Sequence, residues 1–292
     1  MQILLKNLLV VARPVQWVKN IIIFIPLISS QRYEIENILL GLKAFVIFSL
    51  ISSSGYIIND IFDSNNDKLH PIKKLRPIAS GELNNKKSIC YSIILLSLSI
   101  IIGINEGFNF ILIIVLYLTI SFSYSFFLKK IIILDLAIIS ILFLIRIIGG
   151  SEIIDVVTSK YLLFFSLLFF LSLAGIKRLA EIQISYKNKI LELPGRSYAY
   201  KNKRFLEFTI ISSFVFSIFT LIMYISSESA SLIYSNIYTL YVVCFLLMIW
   251  FYRMYNKANT FKIQGEPILF ALKDKVSIFI LILSIIFVLI SI

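Results

Sequence analysis

The chain has 292 residues, 59% of them hydrophobic, and a mean hydropathy of +0.93. That apolar share lies well above the roughly 45–50% of soluble domains and excludes a water-soluble globular fold. The net charge of +12 at pH 7 reads as the positive-inside bias of a membrane protein, so no nucleic-acid partner is expected.

Apolar runs of about twenty residues alternate with short polar stretches, which predicts an all-α, polytopic membrane fold. Nine transmembrane helices are expected, at approximately 18–31, 38–59, 88–105, 109–127, 131–149, 161–178, 205–226, 231–252 and 274–292. With the N-terminus cytoplasmic, 24 of the 28 Lys and Arg residues fall on cytoplasmic segments, which supports both the parity and the orientation. The longest polar stretches, around 63–87, 177–204 and 253–275, are too short to build a soluble core, so residues 1–292 are read as one transmembrane domain. Arg13 and Lys19 precede the first apolar run, which lacks a small-residue cleavage pattern, so no cleaved signal peptide is expected. Cys90 and Cys244 both fall in apolar helices and indicate neither a disulfide nor a metal site.

In chain order, Arg13-Pro14-Val-Gln16-Trp17-Val-Lys19-Asn20 reads as a helix start with Pro14 in the first turn. Arg13, Trp17 and Asn20 share a face at i, i+4 and i+7, and Lys19 and Asn20 stand at the mouth of the first span as candidate phosphate contacts. After the second span comes Asn59-Asp60-Ile-Phe-Asp63-Ser-Asn-Asn-Asp67. Helical steps of about 100° place Asp60, Asp63 and Asp67 within an arc of roughly 60°. Three carboxylates this close repel unless a cation lies among them, and Mg²⁺ suits them because it takes oxygen ligands and bridges to substrate phosphates. The run His70-Pro71-Ile-Lys73-Lys74-Leu-Arg76-Pro77-Ile-Ala-Ser80-Gly81 adds cationic donors for phosphate. His70, the single histidine, enters the candidate set through that run and not as a base. The pattern is that of a magnesium–diphosphate site at a membrane surface.

Near the end of the fourth span Tyr124 and Lys129 supply a phenol and an ammonium group, and Lys129 is placed beside an anionic ligand. Asp135 and Arg146 lie inside the fifth span, where ionisable groups are costly and point to function. Eleven residues apart, they are about 16 Å from one another along a helix yet on the same side of it. A structural hydrogen bond is an equal reading for Arg146. The sixth span ends in Gly175-Ile-Lys177-Arg178-Leu-Ala-Glu181. There Lys177 and Arg178 are candidates to clamp a phosphate, with Glu181, four residues on, orienting Lys177 or joining a metal shell. Positive-inside charge explains the same two cations equally well.

The aspartate motif after the second of nine spans resembles the first aspartate-rich motif of the UbiA superfamily of intramembrane prenyltransferases. That resemblance runs over nearly the whole chain and implies nine helices around a central cavity, with Mg²⁺ and an isoprenyl diphosphate bound at two cytoplasmic aspartate motifs. One departure is informative: where the superfamily carries a second DxxxD motif, this chain has Lys177, Arg178 and one carboxylate, Glu181. This pattern looks like the branch containing decaprenyl-phosphate phosphoribosyltransferase. Arg13 to Asn20, Asn59 to Gly81, Tyr124-Ser125 with Lys129 and Asp135, Arg146 with Gly149-Gly150, and Lys177-Arg178 with Glu181 match that branch in order.

The branch resemblance implies that phosphoribosyl diphosphate and a polyprenyl phosphate lipid react to give polyprenyl-phosphoryl 5-phosphoribose and diphosphate. Asp60, Asp63 and Asp67 would hold Mg²⁺. Asp60, Asp63 and Lys177 would carry the chemistry. Lys19, Asn20, Asn59, His70, Lys73, Arg76, Tyr124, Lys129, Asp135, Arg146, Arg178 and Glu181 would bind substrate. The implied setting is a bacterial-type inner membrane with the active site facing the cytoplasm, homo-oligomers being compatible. Two other readings stand beside it: a prenyltransferase acting on an aromatic or other small acceptor, and a transporter or lipid-binding protein.

Overall fold

Apolar segments with no water to satisfy their backbone wind into helices, and the computed structural model, which describes residues 2–68, 73–189, 192–193, 195–263 and 265–292, is helical almost throughout. Among the described residues one isolated antiparallel bridge, Glu192 with Ala199, is the exception. Eight helical stretches there are long and apolar enough to cross a membrane, and a ninth apolar helix, Lys275–Ser291, has 17 residues. Many of their large apolar side chains face outward, among them Phe208, Phe216 and Leu289. Helices apolar on their outer faces as well as their inner ones belong in a bilayer. The helices divide into two compact units, residues 1–158 with 194–196, and residues 159–193 with 197–292.

In the first unit, α1 (Gln2–Ala12) leads into a 3₁₀ stretch (Pro14–Phe24) and α2 (Ile25–Ser29), followed by α3 (Ile35–Lys68), α4 (Asn85–Gly103), α5 (Phe108–Phe126) and α6 (Ile132–Ile153). α3 has 34 residues, about 51 Å at 1.5 Å per residue. That exceeds the ~30 Å hydrocarbon layer, so its last turns carry Asn59 to Asp67 beyond the apolar zone. Asn84 caps α4 by accepting the Lys86 N–H at 2.9 Å. Buried serines on α3 keep its neighbours close, as in the 2.8 Å Ser54–Ser92 hydrogen bond to α4.

The first span departs from the α-helix expected over 18–31. Eleven residues run as 3₁₀ helix, a form that seldom exceeds three or four. Pro14 begins it, and Arg13 just before is left-handed, with φ 52° and ψ 58°. Three residues per turn set every third side chain on one edge, so Trp17, Asn20 and Ile23 align. Trp17 donates to Ser53 Oγ at 2.9 Å and Asn20 to Ser49 Oγ at 3.0 Å, both on α3. Ile23 lies against Gly150 of α6, where an added Cβ would stand 2.1 Å from the Ile23 carbonyl oxygen. Around this junction Ile23, Leu27, Ile47, Phe48, Ile51, Phe110, Ile114 and Ile145 form the core of the unit.

In the second unit, α7 (Lys160–Lys187) and α8 (Lys203–Ile225) pack side by side, Gly175 admitting the Ile210 side chain. α10 (Tyr238–Asn259) joins them through Phe251, whose ring stacks on Phe214 at 3.6 Å between centroids. The eighth span starts later than the expected residue 231, because Glu228–Ser231 forms a separate turn, α9, and the Asn236 N–H donates to the Ser291 carbonyl. After α11 (Pro267–Ala271), Asp274 caps α12 (Lys275–Ser291) by accepting the Ser277 N–H at 2.9 Å. The same carboxylate is paired with Arg253 and, at 3.1 Å, with Lys257. Hydrogen bonding from Arg253, reinforced by Ser277 and Lys257, holds the Asp274 carboxyl well below the usual carboxylate range.

Two outcomes follow from these contacts. Gly150→Ala drives a methyl group into a backbone carbonyl that no side-chain rotation relieves, so it costs about 1–3 kcal/mol, read as a lowered melting temperature in detergent. The depressed Asp274 pKa gives stability that is present above the unfolded value of about 3.9 and is lost as pH falls through the folded one. The melting-temperature gap between wild type and Asp274→Asn is therefore constant from pH 7 to 5 and closes below about pH 4; a gap that widens on acidification contradicts the assignment.

Candidate functional site

The C-terminal turns of α3 carry Asp60, Asp63 and Asp67, and each of these carboxylates meets a cation. Asp60, 3% exposed, accepts from Arg13 and, at 3.0 Å, from Arg76 Nη1. The same Arg76 nitrogen reaches Asp67 Oδ2 at 2.6 Å. One guanidinium thus bridges two carboxylates seven residues, about two helical turns, apart. Asp63 accepts from Lys129 Nζ at 2.5 Å and from Asn59 Nδ2 at 3.0 Å, and Lys129 also approaches Asn59 Oδ1 at 3.3 Å. Lys129 is buried, and its ion pair spans 66 residues of sequence.

A small cleft opens beside this cluster, lined by Asp63, Asn66, Asp67, Lys73, Lys129, Gly195 and Arg196. Behind it Tyr124 donates to Asp135 Oδ1 at 2.9 Å, and Arg196 Nε stands 3.7 Å from that same oxygen. Asp135 is fully buried. It holds the Tyr124 phenol behind the cleft and stands by the Arg196 guanidinium of the cleft wall.

Deeper along α6, Arg146 is buried and donates to Asn20 Oδ1 at 2.7 Å, the Leu142 carbonyl at 2.5 Å and the Tyr117 hydroxyl at 2.6 Å. Its guanidinium also lies over the Tyr117 ring, 4.8 Å from the centroid. Since Asn20 in turn bonds Ser49, Arg146 ties the 3₁₀ stretch to α3, α5 and α6. Arg146 and Asn20 are thereby joined to each other, apart from the aspartates. Lys19, on the same stretch, is half-buried, and His70 lies outside the described residues.

In the second unit Lys177 and Arg178 sit side by side on α7 with different partners. Lys177 pairs with Glu266, 89 residues away. Glu181 accepts from Arg178 at 2.7 Å: a carboxylate three residues on stands by the buried guanidinium, and the lysine reaches the loop before α11. The Arg178 guanidinium also faces the Tyr198 ring at 5.9 Å.

Arg13 and Glu266 are among the participants to which the amino-acid sequence alone assigned no role. Arg13 stands in the Arg13–Asn20 run on a face with Trp17 and Asn20, and nothing local indicates a left-handed backbone that turns it onto Asp60. Glu266 carries no local signal for its long-range pairing with Lys177. Among the described residues no three carboxylate, histidine or cysteine side chains are drawn together closely enough to enclose a metal ion. The donor chemistry nevertheless suits Mg²⁺: Asp60, Asp63 and Asp67 offer hard oxygen donors on successive turns of one helix, and cations already stand against each of them.

Helices apolar enough to span a bilayer, with an acidic motif countered by basic groups at the end of the longest, define a polytopic membrane protein. The sequence profile of the UbiA prenyltransferase family matches residues 22–273, and the chain belongs to that family of membrane transferases. The chain is 31% identical over 267 residues to an uncharacterised protein, y4nM, of Sinorhizobium fredii, covering 91% of this chain and 52% of that protein. It thus spans about half the length of that relative. It is 26% identical to the nodulation protein NoeC of Azorhizobium caulinodans over 90% of this chain and 85% of that one. To the decaprenyl-phosphate phosphoribosyltransferase of Mycolicibacterium smegmatis it is 30% identical over 187 residues, 62% of this chain and 59% of the other. The fold is that of a UbiA homologue from Archaeoglobus fulgidus solved bound to GPP and Mg²⁺, with a TM-score of 0.69 and 13% identity over 98% of this chain and all of that one.

Arg146→Gln separates bracing from substrate binding. It strips donors from Tyr117 and Asn20 inside the membrane, which costs about 1–3 kcal/mol. The expected result is a lower melting temperature in detergent with an unchanged KM for the phosphorylated donor; a raised KM at constant stability would return Arg146 to the binding set.

Proposed function

We propose that this chain is a Mg²⁺-dependent polyprenyl-phosphate phosphoribosyltransferase, acting as one transmembrane domain with its chemistry on the cytoplasmic side of a bacterial plasma membrane. An oxygen of the lipid phosphate bonds to C1 of the ribose as the bond from C1 to diphosphate breaks. The observation that carries this reading is Lys177-Arg178 in the place where prenyltransferases of this superfamily resemble one another in carrying a second pair of carboxylates. Positive charge there suits a donor with a 5-phosphate in addition to its diphosphate. The partial similarity to the Mycolicibacterium smegmatis enzyme supports the same substrate pair.

Asp60, Asp63 and Asp67 are the residues that would hold Mg²⁺, which when bound stabilises charge on the departing diphosphate. Arg76, Lys73 and Lys129 bind and orient the diphosphate oxygens from the cleft side. Tyr124 and Arg196, fixed on Asp135, supply further donors to anionic oxygens. Lys177 and Arg178 take the remaining phosphate charge. The lipid phosphate is ionised at neutral pH, so no strong general base is required. Glu266, paired with Lys177, orients its ammonium group.

A second reading, transfer of an isoprenyl group to a small acceptor, is favoured by the shared fold with the Archaeoglobus fulgidus homologue bound to GPP. One experiment separates the two. Purified protein in detergent is given Mg²⁺, polyprenyl phosphate and phosphoribosyl diphosphate, with a parallel tube of prenyl diphosphate and aromatic acceptors, and both are read by mass spectrometry. A polyprenyl-phosphoryl pentose phosphate is expected, lost with EDTA and reduced at least 100-fold in Asp60→Asn. Product only in the parallel tube would replace phosphoribosyl transfer with prenyl transfer.

A further inference from the structure

The aspartate cluster is fully countered by the chain's own cations. Arg13 and Arg76 hold Asp60, Arg76 also holds Asp67, and Lys129 holds Asp63. With Lys73 and Arg196 on the cleft wall and Asp135 behind it, five cations face four carboxylates. The contacts are made where water is scarce, Asp60, Asp67, Lys129 and Asp135 all being buried. A divalent ion entering alone would find its oxygen ligands occupied by ammonium and guanidinium groups. It would also add two positive charges to a part-buried group of described residues already positive by one, where charges are screened less than in bulk water.

Arg13 strengthens this arrangement. An L-residue before proline ordinarily takes extended backbone. Arg13 instead holds φ at 52°, a left-handed conformation that persists only where contacts over-determine it. Those contacts are the Asp60 carboxylate and the Tyr56 ring, 5.3 Å from the guanidinium carbon.

We infer that Arg13, Arg76 and Lys129 act as counter-ions that the aspartates exchange for metal, so that divalent cation and diphosphate are taken up together and neither binds tightly alone. The inference deepens the proposed function and rests on its metal and diphosphate assignments. Diphosphate supplies the negative charge that draws the three cations off Asp60, Asp63 and Asp67, freeing carboxylate oxygens for the metal as the cations move to phosphate. Coupling of this kind is reciprocal: diphosphate raises metal affinity by the same factor as metal raises diphosphate affinity.

The test is binding and needs no turnover. Mn²⁺ is titrated into purified protein and followed by electron paramagnetic resonance, with and without inorganic diphosphate, the solution Mn²⁺–diphosphate complex being subtracted. Wild type is expected to bind Mn²⁺ weakly alone and at least about ten-fold more tightly with diphosphate. Arg76→Gln is expected to bind Mn²⁺ about ten-fold more tightly than wild type in the absence of diphosphate and to lose most of the coupling. Arg13→Gln serves as the second variant should Arg76→Gln not fold. Tight wild-type binding of Mn²⁺ alone, or weakened binding in both variants, overturns the inference and leaves the proposed reaction standing. Coupling with no phosphoribosyl transfer upholds the inference and removes the reaction. No Mn²⁺ binding under any condition overturns this inference together with the metal assignment.

Discussion

A carboxylate withdrawn from water must be neutralised, and in the first unit Asp60 sets that requirement. An uncompensated ion in such surroundings loses several kcal/mol of solvation even after relaxation, so Arg13 and Arg76 are drawn onto it from chain positions 47 and 16 residues away. The remaining geometry accommodates those two arms. Arg76 is brought close by the short turn Lys73–Leu75, and its second contact with Asp67 ties the loop to the end of α3. Arg13 is brought close by a left-handed backbone and an extended 3₁₀ stretch, which are in turn held by Trp17, Asn20 and, from the bilayer interior, Arg146.

Much of this was legible because hydropathy and helical period act locally. The spans expected at 88–105, 109–127 and 131–149 lie close to Asn85–Gly103, Phe108–Phe126 and Ile132–Ile153. The aspartates fall on one helix, as their spacing required. Chain-distant pairings were not legible. Lys129 with Asp63, and Lys177 with Glu266, depend on how helices pack, and no local pattern reports that. Glu181 illustrates a finer limit, since three-residue and four-residue separations are both neighbours on a helix, and burial of Arg178 decided between them. The first span misled for a different reason. Its composition favours an α-helix, and the tertiary contacts at Gly150 and Ser49 select a tighter winding.

Arg146 shows how a rare intramembrane charge can be explained without a ligand. Its hydrogen bonds go to an amide, a backbone carbonyl and a phenol, with an aromatic face beneath. None of these is a carboxylate, and the guanidinium is spread over neutral dipoles. The result is a cross-brace among three helical segments at a depth where lipid offers no hydrogen bonds.

The tight winding of Pro14–Phe24 also fixes how this part of the chain can vary in length. Each residue turns the backbone by about 120° and advances it by about 2.0 Å. Loss or gain of one residue between Arg13 and Ile23 would swing Trp17 and Asn20 a third of a turn away from α3. Loss or gain of three would restore their edge but shift them by about 6 Å along it. Azimuth and depth are thus geared together, and the segment behaves like a screw thread with a single seated position.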